Sequence, residues 1–98
     1  MKIKLTGKIE SGEVLLNGKP LDPGPSQKII NHSPDGFSWG YGGSGPAQLA
    51  LAILLELYGR EWAEVNYQGF KWGCIAGLPR ADFYAEINMK SYAPALPG

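Results

Sequence analysis

Residues 44–58 read SGPAQLALAILLELY, and within residues 47–58 only Gln48 and Glu56 are polar. Read as a helix, Gln48, Ala52 and Glu56 fall on one line at i, i+4 and i+8, which leaves apolar side chains around most of the circumference. Ser44 is a good N-cap, Pro46 lies in the first turn where its missing N–H is not needed, and Gly59 suits the residue that ends the helix. The apolar run is shorter than the roughly 20 residues a membrane span needs, so the expectation is a helix enclosed by the rest of a small protein. Whatever else the 98 residues form has to cover it.

The segment before the helix, residues 36–41, alternates Phe37, Trp39 and Tyr41 with Ser38 and Gly40. That spacing predicts a strand with three aromatic rings on one face, lying on the helix. Gly42, Gly43 and Gly45 then reverse the chain, and positive φ is expected at Gly42 or Gly43. Together with Ser44 these glycines expose backbone N–H groups at a helix N-terminus, so Gly42, Gly43, Ser44 and Gly45 are the candidate anion site. YGGSGPAQ carries neither the lysine nor the glycine spacing of a phosphate-binding fingerprint, and a tight connection is the plainer reading.

The run FSWGYGGSGPAQLALAILL resembles a family of small prokaryotic and phage proteins classed as a domain of unknown function, in which such an aromatic and glycine-rich segment precedes an Ala/Leu-rich helix. The likeness is thinner over residues 15–21 and at Tyr67, Phe70, Lys71 and Trp72, followed by Leu78-Pro79. The resemblance implies a bacterial, archaeal or viral origin, possible membership of a mobile element, and no established activity.

The remaining segments divide between strand and helix. Residues 1–9, with Ile3 and Leu5 opposite Lys2 and Lys4, predict a strand; residues 14–16 predict another, joined by Asn17-Gly18 to an edge strand at residues 19–21 that Pro20 weakens. Residues 22–25, DPGP, predict a loop, and residues 26–31 a further strand turned by Ser33-Pro34-Asp35-Gly36 into the aromatic one. Residues 60–78 are open to two readings, and helix is preferred: Ala63, Tyr67, Phe70, Cys74 and Leu78 recur at helical steps, with Gly69, Gly73 and Gly77 forming a stripe another helix could approach. Residues 82–90 alternate strictly and predict a C-terminal strand; 91–98 read as a loose tail. The expected architecture is a single α+β domain: an N-terminal antiparallel sheet of about four strands packed on a buried central helix, a second helix and a C-terminal strand.

Composition narrows the function. Nine basic and nine acidic residues cancel, which argues against a broad nucleic-acid footprint and favours self-association. A single cysteine, Cys74, and an N-terminus without an apolar signal core point to the cytoplasm, and no cofactor or metal cluster is indicated. His32, flanked by Asn31, Ser33 and Asp35, is the only histidine and so the one candidate base for an enzyme, although no nucleophile is tied to it by spacing. Trp39, Tyr41, Trp62, Tyr67, Trp72 and Tyr84 are many large rings for a small domain, and those left exposed near Arg60, Lys71 or Arg80 would anchor a protein interface or stack on bases. A small protein-interaction or regulatory module acting through contact with itself or another protein is the leading expectation. A nucleic-acid-associated protein is the alternative, and an enzyme centred on His32 a further one.

Overall fold

One row of side chains in the first strand can be buried while the other stays in water, and the chain there follows that division. In the computed structural model, which describes residues 1–94, strand β1 (Lys2–Lys8) buries Ile3, Leu5 and Gly7 and exposes its three lysines. Strand β2 (Glu13–Leu16) returns antiparallel beside it, and Asn17-Gly18, with φ of 52° and 81°, turns β2 into the short β3 (Lys19–Pro20). Positive φ at both central residues is what a type I′ hairpin turn requires. Strand β4 (Phe83–Asn88) pairs with the other side of β1, giving the antiparallel order β3-β2-β1-β4.

Helices α1 (Gly24–Ile29), α2 (Ser44–Tyr58) and α3 (Arg60–Phe70) complete an α+β fold, with α3 running into a π-helical turn at Lys71–Ile75. Every residue of α2 from Gly45 to Leu54 is buried, as its nearly continuous apolar surface demands. Leu49 and Ile53 are fully enclosed, whereas Leu57 is half-buried against the core. Gly59 ends α2 with φ of 88°; its N–H reaches Leu55 O at 3.0 Å, while its own carbonyl accepts from Ala63 N at 3.1 Å. One residue therefore closes α2 and opens α3, and only glycine takes that conformation without strain.

Several expected segments take a different form. Residues 26–31 were to be a strand, but Pro25 stands in the first turn of α1, and DPGP begins that helix instead of remaining a loop. Residues 36–41 are no strand: they carry no ladder pairing, and Gly40 N donates to Ile75 O at 3.1 Å instead. The alternation survives in part, since Phe37 and Trp39 are buried and Tyr41 is exposed. Positive φ falls at Gly40 (85°), not at Gly42 or Gly43. Ser44 does not cap α2; the N-cap is Gly43, with no side-chain hydrogen bond. No helix lies along Gly69, Gly73 and Gly77, for the Tyr92 side chain occupies the space over Gly73 and the other two face open space.

Tyr92 lies within the stretch read as loose, yet its ring packs edge-on to Phe70 with centroids 5.1 Å apart and its carbonyl accepts from Trp62 Nε1 at 2.7 Å. Residues 95–98 of that stretch lie outside the described residues.

Candidate functional site

The glycine turn acquires a surface of its own because two exposed rings fold back over it. The Tyr41 ring lies against Gly43 and the Trp72 ring against Gly42, each so close that a Cβ on the glycine would strike the ring. Glycine is needed here for room rather than for backbone conformation. A cation stands over each ring: the Arg80 guanidinium is 4.6 Å from the Tyr41 centroid, and Lys71 Nζ is 4.3 Å from the Trp72 centroid. Lys71 has its stem buried and donates to Gly42 O at 3.1 Å, which ties the π-helical turn to the glycine turn. The result is a row of Arg80, Tyr41, the glycines, Trp72 and Lys71, with Trp72 64% and Tyr41 38% exposed.

Of the four anion-site candidates, Gly42 sits beneath Trp72 and Gly43 beneath Tyr41, Gly45 is buried against Ser38, and Ser44 is exposed. The carbonyl of Gly43 accepts the first helical bond, from Ala47 N at 3.1 Å.

The six aromatic candidates separate into three groups. Tyr41 and Trp72 come together as described, while Tyr84 is exposed on the outer face of β4. Trp39 and Tyr67 are buried, a correction to their reading as surface anchors. Trp39 has no exposed area, donates its indole N–H to Ala81 O at 2.9 Å and meets Phe83 edge-on at 5.0 Å. Trp62 is half-buried and held by Tyr92.

Tyr67 is drawn inward by a polar cluster that periodicity did not reveal. Its hydroxyl is 2.8 Å from His32 Nε2. Gln48, fully buried on α2, accepts from the N–H groups of His32 and Ser33 at 2.8 and 3.0 Å and donates to Ser26 Oγ and Ile30 O at 2.8 and 3.1 Å. All four partners belong to α1 or the segment after it, so Gln48 fastens that segment to the core, and the lone polar residue early in an apolar helix was the one available signal. The hydrogen-bond partners of His32 are thus Gln48 and Tyr67, with no serine or cysteine nucleophile among them. No group of three His, Cys, Asp or Glu residues suited to a metal occurs among the described residues.

Cys74 sits half-buried beside Tyr92. Burial pushes its thiol up from the ordinary range and a hydrogen bond from Tyr92 opposes this, while that same bond, followed by burial, raises the Tyr92 phenol. A thiol favoured in its neutral form contributes stability that is present at neutral pH and lost as pH climbs past the ordinary thiol range, because the unfolded chain ionises first. The urea midpoint is expected to hold steady near neutrality and to fall in alkali, with a shallower fall for Cys74→Ala; an equally steep fall in that variant would assign the loss to other groups, of which Tyr58 and Tyr92 are also raised.

Residues 5–93 match the family described as "Family of unknown function (DUF6166)", and the chain belongs to that family. It matches no curated protein and no solved structure. No described helix is long and apolar enough to cross a membrane.

Proposed function

We propose that this member of a family of unknown function is a small protein-interaction module whose contact surface is the row formed by Arg80, Tyr41, Trp72 and Lys71 over the glycine turn. The observation that carries this reading is the pair of exposed rings, each seated on a glycine and each faced by a cation. Tyr, Trp and Arg are the residues that dominate interface energetics, and rings already held by their surroundings lose little freedom on binding. The two cations suit a partner that presents carboxylates. The glycine turn enters as a seat for the rings and not as an anion cradle.

Co-purification from the native host compared between wild type and the Tyr41→Ala/Trp72→Ala pair tests the surface, with mass spectrometry identifying what is lost. Gly42→Ala is the finer variant: it keeps both rings but its Cβ displaces Trp72, and it should weaken capture of the same partner. A partner retained equally by all three proteins would overturn the reading. The same stacked cations and rings also suit bases of single-stranded nucleic acid. Steep salt-dependent binding of mixed-sequence DNA or RNA, abolished by the double variant, would move the assignment there.

A further inference from the structure

We propose that a second copy of this chain docks on the free edge of β4, extending the sheet antiparallel across a two-fold axis at Ala85. The direction of each backbone group in β4 follows from one bond at its end. Met89 N donates to Met1 O at 2.8 Å, so Met1 and Met89 form a hydrogen-bonded pair, and alternation along the register makes Ile3–Ile87, Leu5–Ala85 and Gly7–Phe83 pairs of the same kind. The N–H and C=O groups of Tyr84, Glu86 and Asn88 therefore point away from β1, where they have no hydrogen-bond partner among the described residues.

The two edges of the sheet are built differently. The opposite edge is β3, two residues long, where Lys19 and Pro20 discourage further pairing. β4 has six residues with neither lysine nor proline. Its inward side chains Phe83, Ala85 and Ile87 are only half-buried, although Ile3 and Leu5 beside them on β1 are fully enclosed. The core is left open along this edge.

Charge selects the register. With the axis at Glu86, Glu86 would oppose itself; with the axis at Tyr84, Glu86 would oppose Asp82. With the axis at Ala85, Tyr84 of each copy opposes Glu86 of the other, Phe83 opposes Ile87, and the outward-pointing Tyr84 and Glu86 exchange main-chain bonds. The phenol and carboxylate are compatible, since Tyr84 OH already donates to Glu86 Oε1 at 3.3 Å within the strand. Identical chains joined in this way make a closed dimer, which halts further growth because β3 forms both ends.

This edge is separate from the Tyr41–Trp72 surface, so the two readings stand or fall independently. Sedimentation velocity of the full chain over a concentration series should show a dimer that Tyr84→Lys and Glu86→Pro convert to monomer, both variants keeping the wild-type circular dichroism. Proline at position 86 removes an N–H that faces away from β1; should it disturb folding, the exposed Tyr84→Lys decides. In a Cys74→Ala background, Ala85→Cys should cross-link to a disulfide dimer on mild oxidation, since facing Cα atoms in such a pair lie about 4.5 Å apart, and Glu86→Cys should not. A wild-type monomer throughout, or a dimer that Tyr84→Lys leaves intact or that only Tyr41→Ala/Trp72→Ala dissociates, would overturn the proposal.

Discussion

Replacing Trp39 by alanine is expected to cost about 3–5 kcal/mol, the range for removing a large aromatic side chain from a core. Trp39 has no exposed area, contacts Phe83, and overlies Gly7 of β1. A stability of about 5–15 kcal/mol is usual for a native protein, so the variant should be largely unfolded or melt far below wild type. Trp39→Phe separates volume from polarity: it keeps a ring against Phe83 but leaves Ala81 O without the indole donor, at a net cost of about 1 kcal/mol for the hydrogen bond plus whatever volume is lost. Urea denaturation followed by circular dichroism measures both, since fluorescence would lose its probe. A loss within about 0.5 kcal/mol for Trp39→Ala, typical of surface positions, would show that the ring is not enclosed.

Gln48→Met carries the second large effect, for a different reason. Methionine nearly fills the space, but the His32 and Ser33 N–H groups lose their shared acceptor, and Ser26 Oγ and Ile30 O lose a donor. Each buried polar group left unpaired costs about 1–3 kcal/mol, so a loss of about 2–4 kcal/mol is expected where water reaches some of them. Hydrogen exchange should show the His32 and Ser33 amides losing protection first. Wild-type protection at those amides would show that Gln48 is not what holds the segment.

The difference between these two residues explains how far the chain could be read from its residues. Alternation in β1 and β4, the Asn17-Gly18 turn and the enclosed α2 are local patterns, and each appears in the fold. Segments whose shape depends on a distant partner were not legible. Ser26, Gln27 and Ile29 alternate well enough for a strand, but α1 is secured by Gln48, which lies 22 residues beyond Ser26. Phe37 and Trp39 have the spacing of a strand and are buried as one would bury them, yet no neighbouring strand offers a ladder, and the Gly40 amide goes to Ile75. At the candidate surface, aromatic and cationic residue types were visible in the sequence, while their pairing across residues 41–80 was not. Burial removed Trp39 and Tyr67 from the surface set for the same reason: residue type does not say which of several rings the core will take.

The π-helical turn at Lys71–Ile75 gives the Trp72 surface a dependence on helical phase. Ala76 N reaches back five residues to Lys71 O at 2.8 Å, so the turn holds one residue more than an α-helical turn would. Successive residues of an α-helix are about 100° apart around the axis. Losing a single residue from this turn would thus restore ordinary helix while swinging whatever follows by that angle, parting Ile75 from the Gly40 amide and the 71–72 pair from the glycines it covers. Length in this short stretch is therefore under tighter constraint than residue identity: a substitution at Trp72 removes one ring, whereas a one-residue deletion would dismantle the whole row.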